Sequence, residues 1–154
     1  MENTDAELAA QPIGYWSGAA HRAIIAYIRG QLAPLGLSQP QYWLLRHLCA
    51  NDLSPDGRGL TLTELTDRMR AYLDDGDDLE SDAADLLGRG WITRDADHRL
   101  WITEAGEKGH ARVKEHAPTV RTRIHDDIDD ANYVTTLKVL RRMIKNVGGD
   151  PDAS

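Results

Sequence analysis

The sequence predicts a mainly α-helical domain with one small β-hairpin, and three observations predict it. Apolar residues recur at three-and-four spacing in six separate segments. Only Trp91–Arg94 and Leu100–Thr103 are β-rich, and the five residues between them suit a hairpin turn. A chain of 154 residues, 41% apolar, can bury one real core and is too short for two independent catalytic domains.

Taken in order, residues 1–12 read as a flexible tail closed by Gln11-Pro12. From Ile13 the apolar positions run Trp16, Ala20, Ile24, Tyr27, Ile28, Leu32 and Leu35, one face of a helix. Pro34 and Gly36 stop it. Ser38-Gln-Pro-Gln41 supplies a Ser cap, a first-turn Pro and a Gln three residues on, opening a helix through Tyr42, Leu45, Leu48 and Cys49. Thr61-Leu-Thr-Glu64 is a second capping box, starting a short helix through Leu65 and Met69. Leu79, Ala83, Leu86 and Leu87 keep helical spacing until Gly88 and Gly90. After the hairpin, Thr103 caps a helix striped by Val113, Ala117, Val120, Ile124 and Ile128, with a kink predicted where Pro118 removes the bond to Lys114. Asp126–Asp130 marks a turn, and a last helix carries Val134, Leu137, Leu140, Met143, Ile144 and Val147. Three short helices and a hairpin over 38–103 make a winged helix-turn-helix lobe. Helices over 13–35 and 104–147 are too apolar along one stripe for so small a core, and predict a dimerisation arm covered by a second copy. Residues 148–154 read as a tail.

Charge and motifs narrow the function. Lys and Arg number 18, Asp and Glu 25, for a net charge of −7. Seven acids and no base lie between Asp74 and Asp85, and without them the two signs balance. No apolar run is long enough to span a membrane. The acidic opening MENTDAELAAQPIG does not resemble a secretory leader, so a cytoplasmic protein is expected. Cys49 is the sole cysteine and sits among leucines as a packed apolar residue. The six histidines lack metal-ligand spacing, and the acidic run does not fit a calcium loop. No phosphate loop, GxGxxG, GxSxG or paired nucleophile and base is present, so neither an enzyme nor a cofactor is expected.

Four segments carry a family resemblance: Leu37-Ser-Gln-Pro-Gln41, Leu62-Thr-Glu-Leu65, Leu86-Leu-Gly-Arg-Gly-Trp-Ile-Thr-Arg94 and Trp101-Ile-Thr-Glu-Ala-Gly106. In this order and spacing they resemble the MarR family of bacterial transcription regulators over residues 13–147. The resemblance implies a homodimer, recognition helices in successive major grooves of double-stranded DNA, wings on phosphates, and a pocket for a small aromatic ligand between arm and lobe.

On that template the recognition helix is Asp77–Gly88. Its outer face is expected to show Asp77, Asp78, Glu80, Ser81, Asp82 and Asp85, and carboxylates oppose approach to phosphates. Asp77, Asp78 and Glu80 suit a helix N-terminus, whereas Asp82 and Asp85 lie beyond the first turn. Compensating DNA contacts are expected from Arg94, His98 and Arg99 at the wing, Arg58 and Arg70 beside the preceding helix, and Ser81 on the recognition helix. Ion pairing of Arg94 with Asp95 or Asp97, and of Arg70 with the acidic stretch, is the structural alternative. Tyr15, Trp16 and His21 on the first helix, with Trp43 and His47 on the second, are the expected pocket residues. The competing function is a protein of this fold that has lost standard DNA binding and serves as a ligand-binding or protein-interaction module.

Overall fold

The computed structural model describes residues 2–153. A short helix, α1 (Asp5–Ala9), stands where the sequence reads as a tail. Thr4 and Glu7 form a reciprocal capping box that holds this turn, and none of its side chains is buried. Helix α2 (Ile13–Leu32) runs 20 residues yet buries only Leu32. A 3-10 turn at Ala33–Leu35 then carries the chain to Gly36, whose φ of 80° ends the run.

The lobe forms around α3 (Gln39–Leu48). Ser38 accepts from the Gln41 amide, and the Gln41 side chain accepts from the Ser38 amide in return. Leu44, Leu45 and Leu48 of α3 are fully buried against Leu65 and Met69 of α4 (Leu62–Met69) and Leu79, Ala83 and Leu86 of α5 (Leu79–Gly88). The predicted hairpin is β2 (Ile92–Arg94) and β3 (Arg99–Ile102), with Ile92 opposite Ile102. A two-residue strand, β1 (Leu60–Thr61), adds to the other edge of β3, giving the antiparallel order β1-β3-β2.

Helix α6 (Glu104–Ile124) leaves the lobe through a glycine contact. A Cβ at Gly106 would collide with the Trp91 carbonyl, and one at Gly109 with the Trp91 ring. These two glycines, one turn apart, let α6 close on the indole. Deeper along the helix, His110 Nε2 donates to the Asp52 carboxylate at 2.8 Å, and Arg46 donates to the same carboxylate at 3.0 Å. Pro118 lies within α6, which continues as one helix on both sides of it. Helix α7 (Asp130–Asn146) is capped by Asp129 and buries no residue. Among the described residues, no helix is long and apolar enough to cross a membrane.

Candidate DNA-reading surface and crevice

Helix α5 packs Leu79, Ala83 and Leu86 inward, and Asp78 caps it by accepting from the Ser81 amide at 3.2 Å. The acidic stretch around it is not the uniform outward face expected. Asp77 is largely covered, held through two bonds of 3.1 Å from the Arg29 guanidinium of α2, which also reaches Asp74 at 3.2 Å. Asp82 is half-buried and accepts from the Ser38 hydroxyl at 3.0 Å. Asp85 accepts from the Gln41 amide nitrogen at 2.8 Å and faces Arg89 at 3.6 Å. Asp82 turns inward because it lies three residues after Leu79 and four before Leu86, on the flank of the buried stripe. Asp75 and Glu80 are left exposed without a side-chain hydrogen bond among the described residues.

The electrostatics follow this geometry. Burial raises the Asp77 carboxyl, but the Arg29 bond and the Asp74 amide outweigh it and hold it below the usual carboxylate range. Burial raises Asp82, the Ser38 bond opposes that, and Asp77, Asp78 and Asp85 push the same way as burial; the net shift is upward. The outward surface of α5 is therefore Glu80, Ser81, Ala84 and Asp85 with Asp78 at its start.

The wing is built by Asp95, whose carboxylate accepts from the Asp97 and Arg99 amides and from the Trp101 indole. Asp95 is thus occupied by the turn and forms no ion pair with Arg94, which stands exposed at the end of β2. His98 occupies the tip at φ 60° and is exposed. Arg99, expected at phosphates, is turned inward, donating to the Gly59 carbonyl at 3.0 Å and Glu64 at 3.3 Å. It ties the wing to β1 and the start of α4. Arg58 is exposed beside that tie, and Arg70 is exposed but paired at 2.6 Å with Asp67 rather than with the acidic stretch.

Between arm and lobe lies a crevice of about 410 Å³, bounded by α2, α3, α6 and the start of α7. Ile24, Ile28 and Leu32 form one wall and Val113, Ala117, Val120 and Ile124 another. Tyr42, Trp43 and Tyr133 supply aromatic surface, and Gln31, Gln39, His116, Arg121 and His125 supply polar atoms. No Asp or Glu is in this lining, in a chain with an excess of acids.

Of the five residues expected in the pocket, the structure brings Trp43 to this crevice. Its ring stacks on Tyr72 at 4.4 Å under the Arg46 guanidinium. Tyr15, Trp16 and His21 lie exposed on the first half of α2, whereas the crevice uses its second half. Trp16 lies eight residues before Ile24, about 12 Å along the axis. His47 is buried elsewhere in the lobe, with its Nε2 unpartnered and its pKa lowered by burial, Arg68 and Arg46. The missed residues, His116, Arg121 and His125, belong to a helix whose stripe the sequence assigns wholly to the arm. Cys49 is buried, and among the described residues no cluster of three potential metal ligands occurs.

A helical arm, a three-helix lobe and a three-stranded sheet ending in a hairpin define a winged helix-turn-helix fold. The fold is that of the MarR family. A MarR family transcriptional regulator from Silicibacter pomeroyi superposes with a TM-score of 0.71 at 18% identity, covering 94% of this chain and 99% of that one. A MarR family protein of Mycobacterium tuberculosis in complex with DNA gives 0.63 at 19%, covering 90% and 99%. Its complex with p-aminosalicylic acid gives 0.60 at 20%, covering 90% and 100%. No family model and no curated protein matches the sequence.

Proposed function

We propose that this chain is a homodimeric, ligand-responsive, DNA-binding transcription regulator acting in the cytoplasm. The observation that carries the proposal is helix α5: it is anchored on its inner face by the lobe core and open on its outer face, beside an exposed wing. The solved DNA complex of a protein with this fold supports it.

In this reading α5 enters the major groove. Ser81 and Glu80 meet base edges, where a glutamate accepts from the amino group of cytosine. Arg94 and His98 contact phosphates from the wing, with Arg58 and Arg70 alongside. Arg99 serves them indirectly by bracing the wing. Two of the acids that argued against DNA binding, Asp77 and Asp82, are part-buried with partners within the chain, which weakens the support for a fold that has abandoned DNA.

The second copy covers the apolar residues left exposed on α2 and α7, Ile13, Trp16, Val134, Leu137 and Met143 among them. The ligand is a small aromatic acid: aromatic walls suit its ring, and Arg121, His116 and His125 suit its carboxylate. Gln39 and Trp43 of the crevice touch Arg29 and Tyr72, which flank the segment leading into α5, so occupancy of the crevice can reach the reading helix.

The test is selection of duplexes from a random-sequence pool at low and near-physiological salt. Enrichment of a two-fold symmetric site at both salts is expected. Recovery of no duplex at either salt would overturn the proposal, because phosphate attraction is strongest at low salt.

A further inference from the structure

Arg29 belongs to the arm helix α2, yet its guanidinium works in the lobe. Nε donates to the Gln39 side-chain oxygen at 3.0 Å, Nη1 and Nη2 donate to the two Asp77 oxygens at 3.1 Å each, and Nη2 also reaches Asp74 at 3.2 Å. The paired bonds to Asp77 use the flat fork of arginine, which a lysine cannot reproduce. Asp77 also accepts from the Asp74 amide at 2.8 Å, so the turn before α5 closes on itself and on Arg29 together.

We propose that Arg29 is a positioning residue for DNA reading: it fixes the lead into α5 and offsets one of the two charges of Asp74 and Asp77 where the duplex arrives. The proposal rests on the reading of α5 as the DNA-reading helix. Without Arg29, Asp74, Asp75, Asp77 and Asp78 would present four carboxylates in five residues at the helix entrance, all facing a polyanion. With it, Asp77 is held in a part-buried fork, Asp74 is met by one exposed bond, and the turn is anchored to α3 through Gln39. The pairing raises the Arg29 guanidinium above its ordinary value, with the Asp77 bond the largest cause, and outweighs burial to hold the Asp77 carboxyl below its own.

Full-length Arg29→Met, Arg29→Lys, Asp77→Asn and the triple Arg29→Met/Asp74→Asn/Asp77→Asn test it. Two quantities are measured: amide hydrogen exchange over residues 74–82, and affinity for the duplex selected by the unsubstituted protein, or for random-sequence duplex at low salt if none is selected. Arg29→Met should speed exchange in that segment by about tenfold or more, leaving α3 and α6 unchanged, with Asp77→Asn doing the same more weakly. It should weaken duplex binding about tenfold at low salt, and the deficit should shrink as salt rises. Arg29→Lys should recover part of the affinity, and the triple most of it, because the unmasked carboxylates are gone; a purely structural arginine would not be rescued this way. Unchanged exchange in Arg29→Met and Asp77→Asn, or a triple that binds as poorly as Arg29→Met, overturns the proposal. If exchange responds as expected while the unsubstituted protein binds no duplex, the DNA reading falls and the masking role with it, and the clamp on the turn stands.

Discussion

The lobe and the arm treat the same kinds of residue in opposite ways. In the lobe, Leu44, Leu45, Leu65, Leu86 and Leu100 are wholly shielded from solvent. In the arm, α7 buries nothing, and Leu137, Met143 and Ile144 stand about 40% exposed on a helix with a clear apolar stripe. The lobe closes its core within one chain; the arm carries apolar surface that this chain cannot cover. The difference teaches where the proposed second copy would sit, since exposed apolar patches of this kind mark association surfaces.

Substitutions can break that contrast. Leu65→Ala should cost about 2–5 kcal/mol of unfolding free energy, because a wholly buried leucine leaves a cavity in a core without slack. Chemical denaturation measures it. Gly109→Ala, at the joint between the two regions, should cost about 1–3 kcal/mol by driving a methyl into the Trp91 ring. The same assay should show the loss without a change in the wing.

Asp52→Asn should cost about 1–2 kcal/mol at neutral pH by weakening the tie from α3 to α6 through Arg46 and His110. Burial raises the Asp52 carboxyl, but those partners outweigh it and leave it below the usual range. A depressed carboxylate stabilises fully above its unfolded pKa, about 3.9, and loses that contribution as pH falls through its lower folded value. His47 acts a little higher: its folded pKa is lowered mainly by burial, so its contribution is complete above about 6.5 and declines as pH falls below that. Unfolding free energy followed from pH 7 to pH 2 should therefore fall, and Asp52→Asn should flatten the acid end.

The smallest effect on the lobe itself is expected from Leu137→Glu with Met143→Glu. Lobe stability should move by no more than about 0.5 kcal/mol, as for other exposed sites. Sedimentation equilibrium should nonetheless show the proposed dimer for the unsubstituted protein and a 17.1 kDa monomer for this variant. A dimer that survives would place the association surface elsewhere.

Much of the fold was legible because its signals are local. The capping boxes at Ser38 and Thr61 and the Thr103 cap stand where the spacing of side-chain oxygens put them. Strand β1 was not legible: two residues have no periodicity, and Leu60 becomes a strand only by pairing with Leu100. Helix α1 was read as part of a tail, because a five-residue helix that buries nothing leaves no apolar stripe in the sequence. At the site, Trp43 could be found because it falls beside the stripe of its helix. The α6 wall could not, because a stripe says that a face is covered without saying by what. The acidic run misled for a related reason. Asp77, Asp82 and Asp85 bond to Arg29, Ser38 and Gln41, between 44 and 48 residues away in sequence, and such pairings exist only after folding.

The most direct test of the central claim is a hydroxyl-radical footprint of the full-length protein on its selected duplex. The account predicts two protected patches related by two-fold symmetry, centred about 34 Å or one helical turn apart, as two reading helices joined by one arm require. A single unpaired patch, or no protection at a protein concentration that saturates the duplex, would contradict it.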